Sequence, residues 1–193
     1  SPPTRAALEK ILEQQDGGAL SREECSRLAA AEGADLIALL VAANELRRAL
    51  VGDVVTYVVN RNINFTNVCF VGCKFCAFSR GPREADAYFR SFDEVAEKTS
   101  EAWARGATEV CIQGGLPHGL PPYYYRDLLK AVKRAAPDIH IHAFSPMEIV
   151  YGVELTGMRL ADYLQMLKDS GLNFTTANSM GEAAQNVVQL GRG

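Results

Sequence analysis

After residue 53 the chain alternates three times between a short run rich in β-branched residues and a longer segment of helical periodicity. The runs are VVTYVVNRNINF (54–65), TEVCIQ (108–113) and DIHIHAF (138–144). The segments between and after them are SFDEVAEKTSEAWARG (91–106), YYYRDLLKAVKRAAP (123–137) and MRLADYLQMLKDSG (158–171). Strands separated by a helix-length crossover cannot form hairpins, so they pair in parallel with helices packed on the sheet. The boundaries carry their own signals: Ser91 with Glu94 three residues on starts one helix, and Gly106, Pro137 and Gly171 end the three. The fold class is therefore α/β. Three strand–helix units are too few to close a barrel, so the array reads as part of one.

Residues 1–52 read as a helical N-terminal extension. Leu8, Ile11 and Leu12 share a face, Ser21 and Glu24 form a capping box, and Leu36, Leu39, Leu40 and Ala43 are expected to bury a third helix. No chemistry is visible there. Residues 53–172 form the strand–helix array, and 173–193 an atypical tail. The chain lacks an initiator Met, as expected of a processed product or a piece of a longer one.

Polar residues gather at the C-terminal ends of the expected strands, the edge where parallel α/β architectures build their sites. Gln113, Gly114 and Gly115 follow the second strand, and His142 to Glu148 the third. After the first come Cys69, Cys73 and Cys76, spaced C-x-x-x-C-x-x-C. Three thiolates leave a tetrahedral zinc one ligand short unless His118 or His142 completes it. A 4Fe-4S cluster tolerates three protein thiolates and keeps one iron open. Three buried structural cysteines are the remaining reading. Gly72 eases a tight loop around a bulky group. Cys25 and Cys111 are expected in the core, and Gly114-Gly115 is either an ordinary turn or a place where backbone approaches a ligand. In the first strand, Asn60, Asn62 and Asn64 alternate with Arg61, Ile63 and Phe65, sending amides to one side and apolar groups to the other. Asn67 reads as a turn residue, and His140 and His142 share one face of their strand.

Composition narrows the partners. The 193 residues carry 20 Lys+Arg against 23 Asp+Glu, net −3, with no basic stripe for nucleic acid and no apolar run long enough for a membrane. An odd number of cysteines, three of them clustered, points to an intracellular, reducing compartment, the cytoplasm.

Three stretches taken in order, VTYVVNRNINFTNVCFVGCKFCAFSR, EAWARGATEVCIQGGLP and HIHAFSPMEI, resemble the radical S-adenosylmethionine (SAM) superfamily. Within it they are most similar to the deazaflavin-biosynthesis branch of FO synthases, on the 4-hydroxyphenyl transferase side. The resemblance runs from about Asp53 to Gly171. It implies a partial radical SAM (βα) barrel of about three βα units. It also implies a 4Fe-4S cluster on Cys69, Cys73 and Cys76, whose open iron takes the amino and carboxylate groups of S-adenosyl-L-methionine. Gln113, Gly114 and Gly115 would lie along the methionine part, Phe75 and Phe78 would shield the cluster and offer a ring to the adenine, and Ser145 and Glu148 would hold ribose hydroxyls or substrate.

The implied reaction joins the 4-hydroxybenzyl group of L-tyrosine to 5-amino-6-(D-ribitylamino)uracil. It needs an electron donor and a second radical SAM half, fused or separate. The ring-closing half, a menaquinone-pathway relative, and an inactive fragment or zinc-binding module are the alternatives. The chain departs from the branch in places. Leu116 follows the Gly pair where many members have Glu, and His118 is displaced by one position. A fourth strand with a Pro-Gly-Thr-Ala-Ala-Glu-like run is expected after Gly171, where only SMGEAA echoes it.

Overall fold

A computed structural model describes residues 1–14, 20–175, 177 and 179–190. The chain divides into two compact units, Ser1–Tyr57 and Val58–Gly193.

The first unit holds three helices, α1 (Pro2–Gln14), α2 (Arg22–Ala29) and α3 (Gly33–Val51). The Ser21–Glu24 capping box forms as expected: the Ser21 hydroxyl accepts from the Glu24 N–H, and the Glu24 carboxylate accepts from the Ser21 N–H. A small core of Ala7, Leu8, Leu28 and Ala42 joins the helices, with Ile11, Leu20 and Leu39 against it. The expected inner face of α3 is corrected here. Leu39 and Ala42 turn inward, whereas Leu36 and Leu40 are exposed. The helix is apolar on several sides, so composition could not say which side packs.

The second unit is built on a three-stranded parallel sheet in the order β1 (Asn60–Asn64), β2 (Glu109–Gln113), β3 (His140–His142). Helices α4 (Phe92–Ala104) and α5 (Tyr124–Ala135) make the first two crossovers, and α6 (Pro146–Thr156), α7 (Leu160–Asp169) and α8 (Met180–Leu190) follow β3. The first strand is shorter than expected. Val54 to Val58 have β-branched character but no partner, because β2 begins opposite Asn60, and Val55 is left 85% exposed. Strand propensity needs a ladder to act on.

Helix α6 is absent from the sequence expectations, although its signal is present. Ser145-Pro146-Met147-Glu148 is a capping box with Pro at the first helical position, the same device that starts α2 and α4. The third unit therefore carries two helices after its strand before α8. Between α7 and α8 the described residues form no fourth strand.

The sheet buries one face. Ile63, Val110, Ile112 and Ile141 join Phe65, Leu128, Leu129, Val132, Tyr163 and Leu167 in the main core. The other face carries Asn60, Asn62, Asn64, Glu109, Cys111, Gln113, His140 and His142, placed in rows by the register. Parallel sheets are ordinarily apolar on both faces. A polar face on such a sheet is the pattern of a barrel interior that receives a ligand. Cys111 lies on this face, which corrects its expected place in the core. Its neighbours in sequence are apolar, but period two puts it with Glu109 and Gln113. Among the described residues no helix is long and apolar enough to cross a membrane.

Candidate active site

The cysteine loop is anchored at both ends by backbone pairing. The Cys69 N–H donates to the Arg80 carbonyl at 3.0 Å, and the Arg80 N–H to the Asn67 carbonyl at 2.8 Å. Arg80 then closes the neck with its side chain: Nε meets the Asp86 carboxylate at 2.8 Å, and Nη1 donates to the Ala77 and Ser79 carbonyls. Inside the loop, the Cys76 N–H donates to the Cys73 carbonyl at 3.0 Å, and Gly72 has φ +65°. A left-handed residue there reverses the chain at little cost.

Asn67 is a brace, which corrects its reading as a turn residue. Its buried amide donates to the Asp86 carbonyl at 2.9 Å and accepts from the Tyr88 N–H at 2.8 Å. It thus ties the loop's entrance to the segment leading into α4. Sequence spacing carries no sign of this, because the partners are about twenty residues away.

The loop also leans on the end of β2. The Phe70 N–H donates to the Leu116 carbonyl at 3.0 Å, and the Gly115 N–H to the Thr66 carbonyl at 2.9 Å. The Phe70 ring stacks on His118 with centroids 4.4 Å apart, which gives the displaced histidine a packing role. Neither Gly114 nor Gly115 has a positive φ, so the pair is not a turn that exploits left-handed backbone. Both are glycine because of close approach. A Cβ on Gly114 would lie 2.5 Å from the Phe65 ring, and one on Gly115 would lie 2.2 Å from the Val68 carbonyl oxygen and 3.0 Å from the Cys69 Cβ. This brings the Gly-Gly backbone directly beside the first cysteine.

Ser145 and Glu148 meet this backbone by an unexpected route. Ser145 caps α6, and Glu148, only 1% exposed, accepts from the Ser145 N–H at 2.7 Å and from the Gly114 N–H at 3.1 Å. Its carboxylate pins the end of β2 to the start of α6. Gln113 is exposed on the polar face, and its carbonyl accepts from the Asn64 amide at 3.1 Å. Phe75 is 92% exposed.

Burial raises the Glu148 carboxyl above its ordinary value of 4.5, against the pull of its two N–H partners. A carboxyl raised in the folded state contributes stability that is complete below the ordinary value and is lost as pH rises through the folded value. Glu148→Ala is expected to cost about 2–6 kcal/mol, because it orphans two N–H groups at about 1–3 kcal/mol each. That difference shrinks as pH rises from 4.5 upward, since only the wild type loses this contribution. Urea unfolding of both chains over a pH series measures it.

Three cysteine thiols in one loop are the donor type that zinc and iron–sulfur sites use. All three loop cysteines are free thiols at least partly open to solvent. No group of three or more His, Cys, Asp or Glu among the described residues converges on a single-ion position. Of the two histidines considered for zinc, His118 is stacked on Phe70 and His142 sits on the sheet face. Cys111 stands apart from this set, and burial, with Glu109 and Glu148 adding to it, pushes its thiol up.

The sequence pattern of the radical SAM superfamily matches residues 63–179, from inside β1 to the approach to α8. The chain belongs to the radical SAM superfamily. FO synthase of Nocardia farcinica is 52% identical over 182 residues, covering 93% of this chain and 21% of that protein. FO synthase of Mycobacterium leprae is 49% identical over 182 residues, with the same coverage. The 5-amino-6-(D-ribitylamino)uracil–L-tyrosine 4-hydroxyphenyl transferase of Methanothermobacter thermautotrophicus is 44% identical over 163 residues, covering 84% of this chain and 44% of that protein. The chain thus spans about a fifth of the length of the FO synthases and under half of the transferase.

Among solved structures, HydG, a maturase of the FeFe-hydrogenase, superposes with TM-score 0.62 at 19% identity, covering 88% of this chain and 36% of that one. Methylornithine synthase (PylB) superposes with TM-score 0.53 at 18% identity, covering 96% and 64%. These likenesses show the fold: an open, three-stranded part of a radical SAM barrel.

Proposed function

We propose that the chain carries the cluster-binding and cofactor-binding part of a radical SAM transferase of FO biosynthesis. In this reading the 4-hydroxybenzyl group of L-tyrosine is joined to 5-amino-6-(D-ribitylamino)uracil. The observation that carries the reading is the 44% identity, over most of this chain, to a relative named for that transfer. The FO synthase relatives are compatible with either half of that enzyme, and the transferase relative favours this one over the ring-closing half.

Cys69, Cys73 and Cys76 would hold a 4Fe-4S cluster, and S-adenosyl-L-methionine would bind its open iron. The bound pair supplies a one-electron reductive cleavage that yields a carbon-centred radical. What the chain's own residues do is separate from that chemistry. Arg80 and Asn67 hold the neck of the loop. Gly114 and Gly115 let backbone pass close to the cofactor's methionine part, and Glu148 fixes that backbone through the Gly114 N–H. Ser145 serves by starting α6. Phe75, on the exposed rim, is free to meet a planar ring. An electron donor and a second radical SAM half, fused or separate, complete the activity. Residues 1–52 are assigned as a helical extension, 53–172 as the catalytic array and 173–193 as a tail. A reducing intracellular compartment suits free thiols that bind iron.

The test is anaerobic reconstitution with iron and sulfide, followed by incubation with S-adenosyl-L-methionine, a reductant, L-tyrosine and the ribitylaminouracil. The expected result is a product carrying the tyrosine-derived benzyl group. Cofactor cleavage stimulated only by futalosine-type substrates would instead place the chain in the menaquinone pathway.

A further inference from the structure

The polar face of the sheet contains a preformed cluster that no step above uses. Register sets Asn60, Glu109 and His140 side by side across the three strands. The Asn60 amide donates to Glu109 Oε1 at 2.7 Å, His140 Nδ1 lies 2.8 Å from Glu109 Oε2, and His142 Nδ1 lies 3.9 Å from Oε1. Glu109 is largely covered, whereas the His140 side chain is 53% exposed.

We propose that this row binds a neutral, N–H-rich heterocycle, and that in the transferase it holds the aminouracil and not the amino acid. The assignment of that particular ligand rests on the function proposed above.

Charge and hydrogen-bond capacity both support it. Glu109 stays ionised: burial pushes its carboxyl up, but the bonds from Asn60 and His140 outweigh this and hold it below the ordinary carboxylate range. A carboxylate accepts at about four positions, and two are used here. The His140 ring turns Nδ1 to Glu109 and leaves Nε2 for a ligand. The row therefore faces its ligand with the open positions of the Glu109 carboxylate and with His140 Nε2, and Asn62, two residues along β1 on the same face, offers an amide for a ligand carbonyl.

None of the strand positions on this face is Lys or Arg. The one arginine in β1, Arg61, points the other way, to the Lys98 carbonyl at 2.9 Å and Glu101 at 2.8 Å. An amino acid's carboxylate would meet the ionised Glu109 with no Lys or Arg on this face of the strands to offset the repulsion. An uncharged ring bearing amino and ring N–H groups meets acceptors. The row lies four residues below Asn64 and Gln113, roughly 13 Å along the strands, which leaves room for a second ligand nearer the cysteine loop.

The chain's three histidines allow a direct test. His118, stacked on Phe70 away from this face, serves as the internal reference. Ring-labelled histidine resonances of the reconstituted chain are followed while 5-amino-6-(D-ribitylamino)uracil, and separately L-tyrosine, is added. The expected result is saturable movement of the His140 and His142 signals with the uracil and none with tyrosine. Glu109→Gln keeps the shape and removes the charge, and is expected to weaken uracil binding tenfold or more. The proposal is overturned if the uracil leaves His140 unmoved, if tyrosine moves it at similar concentration, or if Glu109→Gln binds as the wild type does. Failure of the enzyme reading looks different: the uracil still moves His140, but no tyrosine-derived product forms. Product formation with an unchanged KM for the uracil in Glu109→Gln sinks the site and leaves the enzyme standing.

Discussion

The chain with Cys73→Ala is expected to lose its cluster and all reductive cleavage of S-adenosyl-L-methionine while keeping its fold. Three thiolates are the minimum that leaves one iron of a 4Fe-4S cluster open to a ligand. With two, a second iron loses its protein anchor. The fold does not depend on this thiol. Cys73 is exposed, and the bond that shapes its turn runs from the Cys76 N–H to the Cys73 carbonyl, both backbone. Exposed substitutions of this kind stay within about 0.5 kcal/mol. Iron content and thiolate-to-iron charge-transfer absorption are expected to fall, with far-ultraviolet circular dichroism and the unfolding midpoint unchanged. Cys111→Ala is the control. Its thiol lies on the sheet face and it should assemble the cluster normally. Full cofactor cleavage by the Cys73→Ala chain would remove the basis for the proposed function.

Gly115→Ala is expected to have the largest effect of any single methyl group added to the chain's site. The new Cβ would sit 2.2 Å from the Val68 carbonyl oxygen and 2.7 Å from its carbon. Those are backbone atoms and cannot rotate aside. Relief by sliding the strands is blocked on both sides, by the Gly115 N–H on the Thr66 carbonyl and the Phe70 N–H on the Leu116 carbonyl. Overpacking of this kind costs about 1–3 kcal/mol and more where backbone must move, so a loss of about 3 kcal/mol is expected. The displaced segment carries Cys69, so cluster retention should fall along with stability. Chemical denaturation and iron content after gel filtration measure the two effects. A Gly115→Ala chain with wild-type stability and full iron would show that strand and loop are not in the contact described.

Much of the fold was legible in residue order because its causes are local. Ser91 with Glu94, Gly106 and Gly171 set helix ends through bonds and dihedrals a few residues long, and the structure has α4 and α7 where those signals stand. The missed helix α6 carried the same capping signal in Ser145 and Glu148. At the end of a strand the identical pattern also fits polar chemistry, so residue order alone does not separate the two. The error at the start of β1 has a different origin. Val54 to Val58 have every local mark of a strand, yet a strand exists only where a neighbour supplies hydrogen bonds, and β2 does not extend that far.

By itself the sequence determined the class of the chain: parallel strands crossed by helices, an amide side and an apolar side to the first strand, and three thiols at the edge where ligands bind. These follow from periodicity and from the chemistry of residue types, which need no knowledge of distant neighbours. Only the tertiary structure decided how those parts act. It showed that Gly114 and Gly115 are glycine because Phe65 and Val68 pass within a methyl's reach, that Glu148 grips Gly114 from a helix thirty-four residues on, and that Asn67 braces the loop. It also set Asn60, Glu109 and His140 in one row. Each of these is a contact between segments far apart in the chain, set by register and packing, and no spacing within a single stretch encodes it.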